Sequence, residues 1–371
     1  MGTARLRRPW RVAMLLDTLR GGGAERIAVE VAAALDRDRY SARVLATREG
    51  GLLEEVLERE GIPYTILGRR HGFAPRKFVR AQRLLGSVDL IHSHMLGSNL
   101  WGALFSRLTG VPLVVREPAF SGVRSRLRTY GYRWWVAPVA RRIICPTEVV
   151  ARTLYDEGVP PALVQVIPNG VRTDVALSRD AARAELDLDP DAFVVGVVAG
   201  LREQKAHEVL FRATARLRDE GREVTICLVG DGVRRAELRQ TAETLGLDET
   251  IVWAGQRGDA KRLPRAFDVG VICSDWEGLP VAALETLAAG TPMVSTAVGT
   301  MPTILQDGAG ITVPIRDDAA LASAIRRFAD DPELRARAGE QAREVVEQQY
   351  PFEAMVRGFE RVYEAALTGD R

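Results

Sequence analysis

Lysine, histidine and cysteine are scarce in this sequence. Lysine and arginine together number 51 of 371 residues, and histidine and cysteine occur four and three times. The only lysines are Lys77, Lys205 and Lys261. The cysteines are Cys145, Cys227 and Cys273. Their odd number and lack of paired spacing argue against a disulfide framework or a zinc site, and buried free thiols in a reducing compartment are the simpler interpretation.

Long apolar runs are also missing. No run approaches the ~18–20 residues that a membrane-spanning helix needs. The basic start at residues 5–10 is followed by an apolar stretch that ends at Asp17, too early for a signal peptide. A net charge of +2 gives no bulk electrostatic reason for nucleic-acid binding. We therefore expect a cytoplasmic protein without a nucleic-acid partner, either free or peripheral on the inner face of the membrane.

Short β-branched runs alternate with helical periodicity along the chain. The first series of predicted strands covers residues 12–16, 44–47, 64–67, 90–93, 113–116, 142–145 and 164–167. After a break near residue 170, a second series covers residues 193–199, 224–229, 251–254, 269–273, 293–296 and 311–313. Alternation of this kind is typical of parallel sheets covered by helices on both faces. The pattern predicts an α/β fold with two doubly wound domains.

A glycine-rich turn, Gly21-Gly22-Gly23, joins the first predicted strand to the first helix. Glycines allow close approach of a ligand, and a helix N-terminus favours anions. The place of the third glycine of a dinucleotide fingerprint holds Arg26, and a Walker A loop is missing. A tight turn without any ligand is the alternative.

The segment 274–285 carries the strongest local signal. It follows a predicted buried strand, and open α/β sheets bind their ligands beyond the carboxyl ends of strands. Pro280 suits the start of a helix, and Gly278 lets loop amides approach a ligand. Glu277 lies in the loop, whereas Glu285 lies one to two turns into the helix within an apolar run. A buried glutamate is costly unless it is paired or functional. The alternative is a solvated glutamate with a capping glutamate.

Glu277 and Glu285, separated by seven residues, resemble the Glu-x7-Glu signature of retaining glycosyltransferase family 4, which has the GT-B fold. The resemblance covers nearly the whole chain. Its other segments are Gly22-Gly23-Ala24-Glu25, Asp89-Leu90-Ile91-His92-Ser93-His94, Ile167-Pro168-Asn169-Gly170-Val171, Leu228-Val229-Gly230-Asp231-Gly232 and the closing helix at 352–367. It implies two facing Rossmann-like domains. These are an acceptor-binding domain at 1–168, a donor-binding domain at 169–350, and a C-terminal helix at 351–371 that returns to the first domain.

The resemblance further implies a UDP-sugar donor in preference to a GDP-sugar. Glu285 would accept hydrogen bonds from the ribose hydroxyls. Glu277, with the backbone of Gly278, Leu279 and Pro280, would hold the sugar and the phosphates. Gly22, Gly23 and Gly230 would complete the donor site. Neither a metal nor another cofactor is implied, and the sequence has no Asp-x-Asp cluster in the usual metal-binding context.

Cations must then neutralise the departing diphosphate. The family pattern is an arginine followed five residues later by a lysine, and Lys205 matches the lysine. Gly200 stands in the place of the arginine, and Arg202 is close enough to substitute for it. Lys205 is therefore predicted to bind the diphosphate and to contribute to catalysis. A solvated lysine is the alternative.

Two of the four histidines, His92 and His94, face the same side of a predicted strand. His94 comes last and is the better candidate to reach the cleft. The resemblance implies that His94 touches the donor sugar or the reacting centre, with His92 packed behind it. A core histidine pair satisfied by the backbone is the alternative. His71 and His207 receive no role.

Interleaved arginines and aromatic residues suggest where an acceptor lies. One patch consists of Arg124, Arg126, Arg128, Tyr130, Tyr132, Arg133, Trp134, Trp135, Arg141 and Arg142. A second consists of Arg69, Arg70, His71, Gly72, Phe73, Arg76, Lys77, Phe78 and Arg80. This composition is typical of segments at an anionic membrane surface. It predicts a glycan, glycolipid or lipid-linked saccharide acceptor; the alternative is a core helix with inward tryptophans.

Two other enzymatic functions share this architecture, and a third alternative is not an enzyme. A nucleotide-sugar epimerase would need added acidic or histidine groups in the first domain, and few are evident. A phosphorylase would need a longer chain and a lysine in a cofactor-like context. A catalytically silent nucleotide-sugar-binding partner of another transferase is favoured only by Gly200.

Overall fold

The computed structural model describes residues 8–69, 75–118 and 126–369. The chain divides into two compact units, one formed by residues 1–168 and 353–371 and the other by residues 169–352. Among the patch residues predicted above, Arg70, His71, Gly72, Phe73 and Arg124 lie outside the described residues.

The first unit is built on a parallel sheet of seven strands within the described residues. They are β1 (Trp10–Thr18), β2 (Tyr40–Glu49), β3 (Tyr64–Ile66), β4 (Leu90–His94), β5 (Leu113–Arg116), β6 (Ala140–Cys145) and β7 (Val164–Val166). The helices between them are α1 (Gly23–Ala34), α2 (Leu53–Arg59), α3 (Pro75–Gly86), α4 (Met95–Thr109), α5 (Arg126–Tyr130) and α6 (Glu148–Asp156). A π-helical turn, Gly131–Val136, continues α5.

The second unit has a parallel sheet of six described strands. They are β8 (Val194–Val198), β9 (Thr225–Val229), β10 (Ile251–Gly255), β11 (Val269–Ile272), β12 (Met293–Thr296) and β13 (Gly310–Val313). Its helices are α7 (Arg179–Ala184), α8 (His207–Asp219), α9 (Arg235–Thr244), α10 (Val281–Ala288), α11 (Met301–Leu305), α12 (Asp318–Asp330) and α13 (Pro332–Gln349).

The last helix, α14 (Phe352–Thr368), belongs to the first unit from residue 353 onward. Its Tyr363 is fully buried there, where its hydroxyl lies 2.6 Å from His92 Nδ1. Phe359 packs on the same histidine with ring centroids 5.4 Å apart. The chain therefore closes the first sheet with a segment that comes from the far end of the sequence.

Both faces of the second sheet are buried. Alternate residues of β8 point to opposite faces, and Val195 and Val197 belong to one apolar cluster while Val194 belongs to another. β9 repeats this, with Ile226 in the first cluster and Cys227 in the second. A sheet with two buried faces reads as continuous apolar runs, which is why the strands stand out in the sequence.

The strand order places a switch point in each sheet. The order is β3-β2-β1-β4-β5-β6-β7 in the first and β10-β9-β8-β11-β12-β13 in the second. In each, the order reverses beside the first strand of the unit, and ligands of open α/β sheets bind beyond the carboxyl ends of the strands at that point. The fold prediction of two doubly wound parallel sheets is thus confirmed.

The sequence interpretation placed the arginines and aromatic residues around 126–142 at the protein surface. This is wrong for some of them, which are buried. Tyr132 is fully buried and its hydroxyl donates to the Glu117 carboxylate. Arg128 is buried as well, and its Nε donates to Glu157 Oε1 at 2.7 Å. These two side chains satisfy buried carboxylates, and so they belong to the core. Phe78 of the second patch also packs inward, against Phe105 at 5.2 Å.

Candidate functional site

The turns after β8 and β11 carry the central pair of the candidate site. Within the second unit, the Lys205 ammonium donates to the Glu277 carboxylate, and both side chains are largely buried. Ser274 Oγ donates to Glu277 Oε1 at 2.7 Å. The two residues predicted from separate segments are therefore in direct contact, at the switch point of this sheet.

Three hydrogen bonds fix these two turns against each other. The Gln204 side-chain amide donates to the Trp276 carbonyl at 2.7 Å, and the Asp275 amide donates to the Gln204 carbonyl at 2.9 Å. Cys273 Sγ donates to the Lys205 carbonyl at 3.1 Å. Each lies within a residue or two of Lys205 or Glu277, so both side chains start from a backbone that is held in place.

The carbonyl groups of the loop 274–280 face the protein. Besides the Trp276 carbonyl, three others accept hydrogen bonds. The Ser274 carbonyl accepts from Thr296 Oγ1 at 2.7 Å, and the Gly278 carbonyl accepts from the Thr300 amide at 3.2 Å. The Leu279 carbonyl accepts from Asn169 Nδ2 at 2.7 Å. The amides behave differently. Those of residues 277–279, 281 and 282 donate to no group in the described part of the chain.

Five backbone donors are thus left for a ligand. They lie in one loop and in the first turn of α10, where the helix dipole adds partial positive charge. Successive free amides at a helix N-terminus form an anion-binding concavity. The arrangement suits a phosphate group, with the Lys205 ammonium paired to the carboxylate at the start of the same loop.

Two glycines let neighbouring loops approach this site. A Cβ added at Gly230 would lie 2.0 Å from the Ala199 carbonyl oxygen, and one at Gly299 would lie 2.2 Å from the Gly278 carbonyl oxygen. Both have positive φ, 152° and 52°. The sequence assigned Gly230 to the donor, and the structure gives it the additional task of allowing β8 and β9 to end close together.

Glu285 lies in the second turn of α10, behind the free amides. Its side chain is only 6% exposed. Because the two glutamates are on one loop and the helix that follows it, an extended ligand can meet Glu277 and the helix N-terminus before it reaches Glu285. The alternative of a solvated glutamate is wrong for this position.

Arg202 lies beside the position of the missing arginine. A Cβ added at Gly200 would be 3.6 Å from Arg202 Nε. The Arg202 side chain therefore lies beside the space that a side chain at position 200 would enter. Arg202 itself is exposed. The geometry agrees with the substitution of Arg202 for the family's arginine, which stays a prediction.

Lys205 is followed by a residue in a strained conformation. Ala206 has φ 46° and ψ 42°, in the left-handed region, and forms the N-cap of α8. This region costs an L-residue about 1–2 kcal/mol. Strain of this kind is concentrated at functional sites, where the surrounding structure enforces it. Here the three hydrogen bonds described above hold the turn in place.

We expect Ala206→Gly to raise the free energy of unfolding by about 0.5–1 kcal/mol, because glycine relieves the strain but orders a freer unfolded chain. Urea unfolding measures this change. Ala206→Val is the control and should destabilise the protein, since a β-branched side chain tolerates positive φ poorly. A loss of stability in the glycine variant would contradict this interpretation.

His207, the first residue of α8, is fully buried, and neither ring nitrogen has a hydrogen-bond partner among the described residues. Burial, followed by the positive charge of Lys205, lowers its pKa to about 4. An unfolded histidine titrates near 6.5. The unfolded state therefore binds the proton first, and the stability that His207 contributes above pH 6.5 is lost as the pH falls toward 4.

At pH 5 this loss should reach about 2 kcal/mol relative to pH 7.5, at about 1.4 kcal/mol per pH unit below 6.5. We expect His207→Leu to remove this loss. Between pH 7.5 and pH 5.0, the free energy of unfolding of the variant should therefore fall by about 2 kcal/mol less than that of the unaltered protein. Urea unfolding of both proteins at pH 7.5 and 5.0 measures the difference. An equal fall in both would show that His207 is not the titrating group.

The first unit holds the histidine pair at its own switch point. His94 ends β4 and is 1% exposed, and both of its ring nitrogens lack a hydrogen-bond partner within the described ranges. Its ring packs against that of His92, tilted by 38°, with centroids 4.2 Å apart. Burial, then the charges of His92 and Arg116, holds the pKa of His94 well below its usual range. His94 is thus a neutral imidazole, and the alternative of a backbone-satisfied pair is wrong for it.

The glycine-rich turn is capped by its own chain. The Gly22 amide donates to Glu25 Oε2 at 2.7 Å, and Thr18 Oγ1 donates to the other oxygen of the same carboxylate. A donor phosphate at Gly22 and Gly23 would have to displace this carboxylate. The Glu25 carboxylate therefore competes with a donor phosphate for the Gly22 amide, and the role of Gly22 and Gly23 in donor binding stays a prediction.

Several residues that shape the site received no role from the sequence. Ser274 contacts Glu277, Gln204 joins the two turns, and Asn169 and Thr296 hold carbonyls of the loop. Ser274 and Asn169 lie inside the recognised motifs, so their position was a usable signal. Within the described residues no group of three or more histidine, cysteine, aspartate or glutamate side chains is arranged to hold a metal ion.

Two family models match the chain. The model described as Glycosyl transferases group 1 covers residues 178–345, and the one described as Glycosyltransferase Family 4 covers residues 21–175. The chain belongs to glycosyltransferase family 4. Together the matched regions include both candidate clusters, at Lys205 with Glu277 and at His94.

Curated members of family 4 share part of the sequence. D-inositol 3-phosphate glycosyltransferase of Saccharomonospora viridis is 35% identical over 287 residues, which cover 70% of this chain and 66% of that protein. UDP-Gal:alpha-D-GlcNAc-diphosphoundecaprenol alpha-1,3-galactosyltransferase of Escherichia coli is 29% identical over 265 residues, covering 66% of this chain and 67% of that protein. The chain thus spans about two thirds of the length of these relatives.

A solved structure supports the fold. Alr3699/HepE of Anabaena, in complex with UDP-glucose, superposes with a TM-score of 0.86 at 22% identity, covering 96% of this chain and 99% of that chain. The GT-B assignment is confirmed by this likeness, and the comparisons give no support to the epimerase alternative. No helix among the described residues is long and apolar enough to span a membrane.

Proposed function

We propose that the protein transfers a hexose from a UDP-sugar to a glycan or lipid-linked acceptor, with retention of configuration and without a metal ion. The observation that carries this proposal is the group formed by Lys205, Glu277 and the free amides at the start of α10. A UDP donor is favoured over GDP because one relative is named as a UDP-Gal-dependent galactosyltransferase and a structural neighbour was crystallised with UDP-glucose.

Each part of the donor is matched by one part of the site. The ribose hydroxyls donate to Glu285, and the diphosphate accepts from the amides of residues 277–279, 281 and 282, from Lys205 and from Arg202. The sugar hydroxyls donate to Glu277, which releases Lys205 toward the phosphates as the donor enters. Carboxylates accept from hydroxyls and ammonium groups donate to phosphates, so the donor uses each group in its charged form.

Catalysis follows from the same charges. The acceptor hydroxyl attacks the anomeric carbon as the bond to the diphosphate oxygen breaks, and the hydroxyl proton passes to the departing diphosphate. Lys205, Arg202 and the helix N-terminus stabilise the charge that develops on that group, which is the task a metal ion performs in other transferases. His94, as a neutral imidazole, is proposed to contact the donor sugar.

We expect the product to keep the anomeric configuration of the donor. No second carboxylate is assigned to the face opposite the leaving group, as an inverting or double-displacement mechanism would need. An α-linked donor should therefore give an α-linked product by attack from the front face. Proton NMR of the first product tests this, since the anomeric coupling constant separates the two outcomes, and a β-linked product would exclude the mechanism.

The acceptor is proposed to be anionic and to lie at a membrane surface. The two relatives are named for acting on D-inositol 3-phosphate and on a diphosphoundecaprenol-linked sugar. On the first unit, Tyr130 and Trp134 are 67% and 57% exposed, and the Arg133 guanidinium lies 4.9 Å from the centre of the Trp134 ring. Rings and cations exposed together suit the headgroup layer of an anionic bilayer.

Flotation with phosphatidylglycerol vesicles tests the membrane proposal. We expect binding at low salt that is lost at high salt, and a clear reduction in the double variant Tyr130→Ser/Trp134→Ser. Val233→Ser is the matched control, because Val233 is a 94% exposed apolar residue of the second unit. Absence of binding at low salt, or an equal reduction in the control, would remove the membrane from the proposal.

A further inference from the structure

The first unit contains a cleft that none of the residues assigned to the donor lines. It opens at the carboxyl ends of β2 and β3, beside Thr47 and Leu67, and is walled by α3 and α4. The space in the cleft and in front of it is about 350 Å³, a figure that includes open solvent. The cleft lies at the carboxyl edge of the sheet, which is the edge where parallel sheets bind ligands, on the β2–β3 side of the switch point between β1 and β4.

The floor of the cleft is aromatic. Phe78 and Phe105 are stacked with centroids 5.2 Å apart, and Trp101 stacks on Phe105 at 5.9 Å. Phe78 also contacts Trp101 at 6.2 Å. Three rings packed on each other form a rigid apolar surface. An apolar group of a ligand gains free energy there by leaving water, at little cost in side-chain order.

Two cations stand at the rim of this floor. The Arg69 guanidinium carbon lies 5.2 Å from the centre of the Trp101 ring, and its buried Nε has no hydrogen-bond partner among the described residues. Lys77 donates to the Gly68 carbonyl. Neither cation forms an ion pair in the described part of the chain, whereas Arg20, which follows β1, is paired with Glu49. Two uncompensated cations with unused donors favour an anion.

The remaining cations of α3 do not line the cleft. Arg76, Arg80 and Arg83 border a separate, open surface with Val79 and Leu84. They raise the potential around the cleft and draw anions toward it, without supplying direct contacts. This separation makes it feasible to distinguish a built site from general attraction by substitution.

We propose that the cleft binds a phosphate ester. Arg69 and Lys77 hold the phosphate, and the apolar part of the ester lies on the half-buried Trp101 and Phe78, with the buried Phe105 behind them. The identity of the ester rests on the proposed function: in a transferase of that kind, the ester is the phosphate-bearing portion of the acceptor. The same chemistry is also offered by the headgroup of a phospholipid, and the test separates the two sources.

The test is a titration of the full chain with n-hexyl phosphate at low salt, by calorimetry. Saturating UDP is present throughout, so that the donor site does not bind the phosphate. Hexyl phosphate should bind more tightly than inorganic phosphate. Arg69→Gln and Lys77→Gln should each weaken its binding about tenfold, the scale of one charged hydrogen bond. The matched control Arg83→Gln removes a charge from the same helix and should change the affinity less than about twofold.

The vesicle arm identifies the source of the phosphate. With a soluble acceptor, phosphatidylglycerol vesicles should bind the Arg69→Gln and Lys77→Gln variants as they bind the unaltered protein. Absence of hexyl phosphate binding, or an equal loss in Arg83→Gln, would overturn the proposed site. Loss of vesicle binding confined to the two cleft variants would overturn the acceptor assignment and identify a lipid headgroup.

Failure of this proposal is distinguishable from failure of the proposed function. UDP binding is measured in the same preparations before the titration. A chain that binds UDP but not hexyl phosphate refutes the cleft alone. A chain that binds hexyl phosphate but releases no UDP from a UDP-sugar refutes the transfer reaction and leaves the phosphate site standing.

Discussion

Replacing Lys205 by alanine is expected to lower turnover about 100- to 1,000-fold, the usual effect of removing one group that stabilises developing charge. The reason is that the charge on the departing diphosphate is greatest in the transition state, so the missing ammonium affects the rate more than the binding of the donor. The folded fraction should stay high, because Glu277 keeps its hydrogen bond from Ser274. The loss of a largely buried ion pair costs about 3–5 kcal/mol at most, which is less than a typical free energy of unfolding of about 5–15 kcal/mol. Initial rates at saturating donor and acceptor measure the effect.

Two controls separate this role from a structural one. Lys261→Ala removes a second lysine from the same unit and should leave turnover nearly unchanged. Lys205→Arg keeps the charge beside Glu277 and should retain more activity than alanine does. If turnover in Lys205→Ala falls no further than the folded fraction, Lys205 has no part in leaving-group stabilisation.

Glu285→Ala is expected to weaken UDP binding by about 2–3 kcal/mol, a factor of roughly 30–150. A buried carboxylate that accepts from two ribose hydroxyls makes two charge-assisted hydrogen bonds, and alanine leaves both hydroxyls without a partner. Isothermal titration calorimetry with UDP measures the change. Unaltered affinity would show that the ribose lies elsewhere.

A ligand without the two hydroxyls provides the matching control. In the unaltered protein, 2′,3′-dideoxy-UDP should bind less tightly than UDP by a similar factor. In Glu285→Ala the two ligands should bind almost equally, because the variant and the ligand remove the same interaction. If the losses of affinity from the substitution and from the dideoxy ligand were additive, Glu285 would not contact the ribose hydroxyls. The substitution would then act through the structure of α10.

The strands were predictable because each carries a strong local signal. The runs at 113–116 and 293–296 coincide with β5 and β12, and the run at 193–199 exceeds β8 by one residue at each end. Buried parallel strands are apolar on both faces, so they contrast with the amphipathic helices around them. Glu285 was found for a related reason, since a charge inside an apolar run needs an explanation, whereas Glu277 was found because it lies in the loop that follows a buried strand.

What the sequence could not give depends on partners that are distant along the chain. Arg128 and Tyr132 have the composition of a surface patch, yet Glu117 and Glu157 draw them into the core. The free amides of the α10 loop become visible only when Asn169 and Thr300 are seen to hold its carbonyls. The left-handed Ala206 is not predictable either, because alanine normally avoids that conformation.

The measurement that tests the central claim most directly is the release of UDP from UDP-sugars, with and without a panel of phosphate-bearing and neutral glycan acceptors. We expect that UDP is released, that an acceptor accelerates the release, and that Lys205→Ala abolishes the acceleration while Lys261→Ala retains it. Tight binding of UDP-sugars without release would identify a silent binding partner. Conversion of the donor into another UDP-sugar, with no free UDP, would identify an epimerase, and either result would contradict the proposed transfer.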